Sequence, residues 1–172
     1  MNNTLQIKLL SDNATMPKRE HDTDAGFDIY AAETVVLEPQ QKAVIATDIA
    51  VNIPKGYVGL LTSRSGVSSK THLVIETGKI DAGYQGHMRI NIKNDSQRNV
   101  ATNNLAFGKY LDIEGEKITD THSILGDTYR VSKGDKLAQL VIVPIITPEL
   151  EQVEEFTSES ARGEKGFGSS GY

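Results

Sequence analysis

The chain has 172 residues, of which 38% are hydrophobic and 24% charged, a composition typical of one globular domain rather than of a disordered polypeptide. A formal net charge of -5 argues against nucleic-acid binding through bulk electrostatics, because neutralising phosphates needs a basic surface. The absence of cysteine excludes disulfides and thiol chemistry, and no apolar run approaches the roughly 18 residues that a membrane span needs. Residues 1–4 lack the features of a signal peptide, so we expect a soluble intracellular protein.

The first third of the chain predicts short β-strands separated by turns. Residues 5–9 alternate apolar and polar side chains, and 24–31 is a glycine turn that runs into a strand. Further strands are predicted at 34–37, 43–53 and 57–62. Such spacing is typical of a β-sandwich, barrel or jelly roll, so the predicted fold class is all-β.

Residues 62–70 interrupt this series of strands with hydroxyl side chains, one arginine, one lysine and a glycine. They are compatible with one or two helical turns at whose start Ser65 and Gly66 present donors to an anion. They are equally compatible with a serine-rich loop. The sequence leaves both interpretations open.

The stretch 78–93 predicts a glycine-punctuated hairpin that leads into a half-buried strand. Three glycines in its first half can adopt backbone conformations closed to other residues: Gly78, Gly83 and Gly86. Its second half alternates apolar residues at 88, 90 and 92 with polar ones, which indicates a strand with one buried face. Asp81 and Tyr84 are therefore expected on a tight exposed turn, a suitable place for a positioned carboxylate. The alternative is an ordinary β-turn, since Asp and Gly dominate turns.

Residues 95–128 lose clear periodicity, and a surface insertion is predicted at about 95–130, because long segments without regular structure are usually functional or mobile. Strand signals return at 129–131, a turn follows at 133–136, and 137–144 predicts a mostly apolar buried strand. Gln139 is the exception in that strand. A buried amide needs hydrogen-bond partners, so Gln139 is either a satisfied core group or faces a site.

The tail at 162–171 is rich in glycine and matches G-x-G-x-x-G at 166–171, but the strand and helix of a dinucleotide site are missing around it. It is either a disordered tail or a segment that orders over a ligand, with Phe167 stacking and Arg162 clamping charge. The four histidines have no metal-binding spacing, and there is neither a nucleophile elbow nor a P-loop.

Five segments in order resemble the five signature motifs of homotrimeric dUTPases. They are DAGFDIYA at 24–31, SRSGVSSK at 63–70, GKIDAGYQGHMRINIKN at 78–94, KGDKLAQLVIVP at 133–144 and RGEKGFGSSG at 162–171. The insertion before the fourth motif resembles the extra segment of staphylococcal phage dUTPases, a group known to relieve repression of mobile pathogenicity islands by binding their repressor.

The resemblance implies one β jelly-roll domain over 1–172, with the insertion at about 95–130 and a flexible arm at about 157–172. It also implies a homotrimer in which each site takes its first, second and fourth motifs from one subunit, the third from another and the fifth from the last. The expected location is the cytoplasm, that of the bacterial host if the gene belongs to a phage. Neither a membrane nor direct nucleic-acid binding is expected.

The implied reaction is the Mg²⁺-dependent hydrolysis of dUTP to dUMP and pyrophosphate, which keeps uracil out of DNA and supplies dUMP for thymidylate synthesis. Asp81 would be the general base that deprotonates a water attacking the α-phosphorus, since carboxylates are ionised at neutral pH. Gln139 would hold that water or a phosphate oxygen, and Tyr84 would pack on the deoxyribose. Mg²⁺ would lie on the triphosphate oxygens, with Asp28 touching its water shell.

The resemblance also implies substrate-binding groups. Arg64, Ser65 and Gly66 would hold the α and β phosphates, and backbone groups around Gly78, Ile80, Met88 and Ile90 would recognise uracil. In the tail, Arg162, Ser169 and Ser170 would bind the γ end, and Phe167, beside Gly168, would stack over the base.

Two alternatives stay open. One is a dCTP deaminase-like enzyme of the same fold, against which the Asp81–Tyr84 pattern and the tail motif argue. The other is mainly a nucleotide-sensing protein that binds a regulatory partner, the repressor of a mobile pathogenicity island, through residues 95–130 and the active-site region. A passive loop is the plain alternative to that role.

Overall fold

The computed structural model of the chain describes residues 4–98, 108–118, 126–161 and 163. Within them it forms eleven β-strands and one short helix, which confirms the predicted all-β class. The elements are β1 (Gln6–Leu9), β2 (Gly26–Tyr30), β3 (Val35–Leu37), β4 (Lys42–Asn52), β5 (Tyr57–Ser63), α1 (Ser65–Lys70), β6 (Leu73–Ile75), β7 (Gly78–Ile80), β8 (His87–Asn94), β9 (Tyr110–Leu111), β10 (Thr128–Val131) and β11 (Lys136–Pro144). No described helix is long and apolar enough to cross a membrane.

Two four-stranded sheets and one three-stranded sheet make up the domain. Their strand orders are β1-β4-β8-β6, β2-β11-β5-β7 and β3-β10-β9. All three sheets contribute buried side chains to one hydrophobic cluster. The alternation predicted at 88–92 is confirmed, since Met88, Ile90 and Ile92 are all buried in that cluster. β8 thus turns its apolar face towards the core.

The predicted hairpin at 78–93 is wrong. β7 pairs with β5 in one sheet, whereas β8 pairs with β4 and β6 in another. Residues 81–86 therefore carry the chain from one sheet to the other. Glycine and aspartate indicate that the chain turns, but they do not indicate which strand pairs with which. The pairing depends on how the apolar face of each strand is buried in the folded domain.

The glycines of this turn also differ from expectation. Gly83 has a φ of +93°, a conformation that other residues rarely adopt, whereas neither Gly78 nor Gly86 has a positive φ. Gly86 has another reason to be glycine, which lies in its contact with Tyr84.

The segment expected to be a surface insertion is partly built into the domain. β9 pairs in parallel with β10, and Leu111 and Ile113 are only 6% and 9% exposed. The neighbouring chain folds back as a short hairpin, in which Ile118 N donates to Tyr110 O. The prediction of a segment without regular structure is therefore wrong at these residues. Apolar residues spaced without a period gave no sign of a two-residue strand.

Both ends of this segment are held together by a buried asparagine. Asn94 Nδ2 donates to Leu37 O at 2.9 Å and to Asp127 O at 2.8 Å, and its Oδ1 accepts from Ser96 N at 3.0 Å. Ser96 Oγ adds a bond to Asp127 O at 2.8 Å. The two ends of the segment, near residues 96 and 127, are consequently held side by side.

Candidate active site

The core of the candidate site is a buried carboxylate on β2. Asp28 is 3% exposed, and its oxygens lie 3.0 Å from Arg64 Nε and 3.1 Å from Lys136 Nζ. Gln139 Nε2 donates to Asp28 Oδ1 at 3.3 Å. Gln139 is opposite Asp28 in the β11–β2 pairing, so both side chains leave the sheet on the same face. The half-buried amide is thus part of a polar cluster rather than an isolated core group.

Arg64 reaches this cluster because it directly follows β5. Its Nη1 donates to Lys136 O at 3.1 Å, which holds the guanidinium beside β11. Its Nε–H is buried and has no well-aligned hydrogen bond among the described residues, although Asp28 is close. The guanidinium is still partly exposed, and its planar set of N–H donors suits an anion with several oxygens.

Residues after Arg64 form helix α1 and not a loop, which settles the alternative left open at 62–70. Val67 is the buried residue of this helix and anchors it to the core. Ser65 and Gly66 at its start are exposed. They lie directly beside Arg64, where their side-chain and backbone donors can be reached from solvent.

Lys136 is a component of the site that the sequence did not reveal. Its Nζ bridges Asp28 and Glu20 Oε2, the latter at 2.9 Å, and Glu20 also lies 3.4 Å from Lys18 Nζ. The hydrogen bond from Lys136 lowers the pKa of Glu20, and bonds to Glu20 and then Asp28 raise the pKa of Lys136. Strand alternation would place positions 136 and 139 on opposite faces. A register shift between Lys136 and Ala138 brings both to Asp28.

Asp81 and Tyr84 lie apart from this cluster, on the exposed turn between β7 and β8. Tyr84 N donates to Asp81 O at 3.1 Å, which closes the turn. Asp81 borders a surface cleft with Pro54, Tyr57 and Ile145, and no hydrogen bond or ion pair within the described part of the chain joins it to Asp28 or Arg64. The predicted site is therefore divided within one chain: the cluster around Asp28 and Arg64 is one half, and the turn with Asp81 and Tyr84 is the other.

Four residues expected to recognise a base lie on strands around this turn. Gly78 and Ile80 belong to β7, whereas the side chains of Met88 and Ile90 are buried in the core, so only their backbone can meet a ligand. β6 pairs with β8 only from Ile92 to Asn94. Glu76 N also donates to Asn91 O at 3.0 Å, so in the described ranges only residues 87–90 of β8 have no strand partner on the edge facing away from β4. The outer edge of β7 has no strand partner there either, so the turn lies between two backbone edges that are not paired with another strand.

The predicted tail residues Arg162, Phe167, Gly168, Ser169 and Ser170 lie outside the described residues. Among the residues that are described, no group of three or more histidine or carboxylate side chains is placed to hold a metal ion. A metal at this site would have to take most of its ligands from a bound molecule and from water.

Comparison with known proteins decides the family. The sequence profile of the dUTPase family matches residues 12–105 and 124–171. The chain belongs to the dUTPase family. The expected enzyme class is confirmed as well, since a relative named deoxyuridine 5'-triphosphate nucleotidohydrolase, from Clostridium tetani, is 34% identical over 98% of this chain and 97% of its own.

Two solved phage dUTPases are more similar. The Staphylococcus bacteriophage 80alpha dUTPase with dUPNHPP is 66% identical, with a TM-score of 0.89 over 99% of this chain and 100% of its own, and is described as controlling transfer of virulence genes by a proto-oncogenic G protein-like mechanism. The D95N variant of the phage phi11 dUTPase of S. aureus is 66% identical, with a TM-score of 0.81 over 91% of this chain and 100% of its own. It is described as revealing the coordination of a structural Mg(II) ion. The dUTPase profile does not match residues 106–123. This unmatched segment is shorter than the insertion predicted at about 95–130.

Proposed function

We propose that the chain hydrolyses dUTP to dUMP and pyrophosphate at sites shared between subunits of a homotrimer. The observation that carries the proposal is the separation of two incomplete halves. Asp28, Arg64 and Gln139 form an anion-binding cluster that lacks a free general base, whereas Asp81 is exposed on a turn that lacks cations. Threefold closure would join the half of one subunit to that of the next and form three identical sites.

The chemistry assigned to each residue follows from its surroundings. Arg64, with Ser65 and Gly66 beside it, binds phosphate oxygens and neutralises charge that develops at the α-phosphorus. Asp81, exposed and without a cationic partner among the described residues, accepts a proton from the attacking water. Gln139, held by Asp28, orients that water or a phosphate oxygen. Arg162, Ser169 and Ser170 of the arm bind the γ end, and Phe167 beside Gly168 covers the base.

Selectivity for deoxyuridine is assigned to the turn and its flanking strands. The unpaired backbone edges of β7 and β8 offer donors and acceptors that match the edge of uracil, and a mismatched base would leave buried polar groups unpaired. Tyr84 packs on the deoxyribose and leaves no room for a 2′-hydroxyl. The dUPNHPP bound to the 80alpha enzyme supports a deoxyuridine triphosphate as substrate.

Magnesium is the proposed cofactor, and Asp28 is the residue of the cluster that can contact it. Asp28 is already paired with Arg64 and Lys136, so it suits contact with the water shell of Mg²⁺ rather than direct coordination. When bound, the ion neutralises triphosphate charge and orients the phosphates. The structural Mg(II) of the phi11 enzyme suggests a second place, since this chain also has an aspartate at 95, which pairs with Lys93 at 2.6 Å.

The test is pyrophosphate release from dUTP, dCTP, dTTP and UTP with Mg²⁺, measured for the wild type and for Asp81→Asn, which keeps the shape of the side chain and removes its basicity. Selective turnover of dUTP that is lost in the variant is the expected result. Ammonia release from dCTP would instead establish the deaminase alternative. Binding of dUTP without turnover by the wild type would favour a nucleotide-sensing regulator.

A second function is proposed for the insertion, namely binding to the repressor of a mobile pathogenicity island and relieving its repression. The control of virulence-gene transfer described for the 80alpha enzyme motivates it. The hairpin at 110–118 presents an acidic tip, in which Asp112 Oδ1 accepts from Glu114 N and Glu116 N, both at 2.9 Å. A structured tip with exposed carboxylates suits a basic protein surface.

The test is the double substitution Glu114→Lys with Glu116→Lys, which reverses the charge of the exposed tip and leaves the buried Leu111 and Ile113 in place. We expect the variant to hydrolyse dUTP and to lose repressor binding in a titration. Deleting all of 95–130 would be a poorer test, because it would also remove these buried core side chains. Repressor binding at the wild-type affinity by the charge-reversed variant would reject this role.

A further inference from the structure

The ring of Tyr84 lies directly over Gly86. A β-carbon at position 86 would be 2.6 Å from Tyr84 Oη, 2.7 Å from Cζ and 2.9 Å from Cε2, distances that real β-carbons do not show. Tyr84 Oη donates to His87 O at 3.1 Å, which fixes the far end of the ring beyond the glycine. The ring is therefore folded back along the turn and occupies the space that any other residue at 86 would fill.

Gly86 is thus needed for space and not for backbone freedom. Its φ is not positive, in contrast to Gly83, which has a φ of +93° and no atom within 4 Å of a β-carbon at its position. The atoms that an alanine at 86 would meet are the end of a side chain that is 48% exposed. The ring can swing into solvent, so such a substitution should move Tyr84 without disturbing the core.

We propose that Gly86 is a positioning residue that determines sugar selectivity, because it lets the Tyr84 ring lie flat against the turn as a surface for the 2′-carbon of the nucleotide. The inference rests on the proposed selectivity for dUTP and adds the residue that makes the selective surface possible. A ring held at both ends offers a fixed plane. A ring displaced by a methyl group loses its bond to His87 O and no longer excludes a 2′-hydroxyl.

The experiment compares kcat/KM for dUTP and for UTP in the wild type, Gly86→Ala and Ala82→Gly. We expect Gly86→Ala to lower the dUTP/UTP ratio about tenfold or more, with a thermal midpoint close to that of the wild type. Ala82→Gly is the matched control, since it loosens the backbone of the same turn without touching the ring, and its ratio should stay unchanged. An unchanged ratio in Gly86→Ala, or an equal loss in Ala82→Gly, would overturn the inference.

A double-mutant comparison separates positioning from general damage. In a Tyr84→Ala background there is no ring to displace, so adding Gly86→Ala should change the dUTP/UTP ratio by less than about twofold. A loss as large as in the wild-type background would mean that Gly86 acts otherwise. Nuclear Overhauser contacts between the Tyr84 ring protons and Gly86 Hα test the geometry independently of turnover, and their absence would overturn it. Equal turnover of dUTP and UTP by the wild type would instead refute the proposed function itself.

Discussion

At the scale of single residues, Asn94 illustrates how one buried amide can define the boundary of an insertion. Its side chain has no contact with solvent, and each of its polar atoms is used by the backbone at 37, 96 or 127. No apolar residue can replace these bonds. Asparagine is therefore required where the two ends of the segment meet.

We predict that Asn94→Ala lowers the free energy of unfolding by about 3 kcal/mol, because it leaves buried backbone groups without partners. Asn91→Ala is the matched control on the same strand, since its Nδ2 donates to Glu76 Oε2 in an exposed pair. Its cost should stay below about 1 kcal/mol. Urea unfolding of both variants measures the difference, and equal costs would contradict the role of Asn94.

A second prediction concerns pH. Burial raises the pKa of the Tyr129 phenol, with the nearby Asp127 adding to the effect. In the unfolded chain the phenol loses its proton near its ordinary pKa of about 10, whereas the folded state retains it, so stability falls as pH rises above that value.

Tyr129→Phe should remove this contribution, so its stability should decline less steeply above about pH 10 than that of the wild type. The variant should be less stable at neutral pH, because Tyr129 Oη accepts a hydrogen bond from His72 N at 3.1 Å. Thermal unfolding at a series of pH values measures both effects. Parallel curves for the two proteins would contradict the assignment.

At the scale of elements, β9 converts part of the insertion into a component of the core. Leu111 lies opposite Tyr129 in the parallel β9–β10 pairing, and Tyr129 lies opposite Leu37 of β3. This three-stranded sheet depends on a two-residue strand from the segment, part of which the dUTPase profile does not cover. The insertion is thus attached through packing as well as through its two ends.

Leu111→Ala should lower the free energy of unfolding by about 2–4 kcal/mol, because it opens a cavity among buried side chains. Val36→Ala on β3 of the same sheet is the control, since Val36 is 43% exposed, and its cost should be below about 1 kcal/mol. Chemical denaturation measures both. A negligible cost for Leu111→Ala would mean that β9 is a passive surface strand.

At the scale of the whole molecule, the separation of Asp81 from Arg64 predicts complementation between inactive subunits. Arg64→Ala and Asp81→Asn should each abolish dUTP hydrolysis alone. In trimers assembled at random from equal amounts of the two, a site takes an intact Arg64 from one subunit and an intact Asp81 from another in about a quarter of cases.

Mixed refolding should therefore restore about a quarter of the wild-type activity, measured as pyrophosphate release with the trimer mass checked by analytical ultracentrifugation. Refolding each variant alone is the control and should give none. If both residues served the same site from one subunit, mixing would restore nothing, and a monomeric mass would contradict the shared site directly.

The sequence by itself determined most of the strands, the family and which residues are candidates for the site. Alternation of apolar side chains predicted β5 and β8 within a residue or two, because one face of each strand must be buried. Five ordered motifs predicted the dUTPase family, which the comparisons confirmed. These signals are local, and they survive in the sequence whatever the partners of each strand are.

Only the tertiary structure decided how these pieces meet. It placed β7 and β8 in different sheets, brought Lys136 to Asp28 through a register shift, and showed that Gly86 makes room for Tyr84. It also showed that Leu111 and Ile113 belong to the core. Each of these features depends on contacts between residues distant in the chain, or on a bulge that changes which face of the strand a side chain occupies. Such contacts and bulges do not alter the periodic pattern of apolar residues in the sequence.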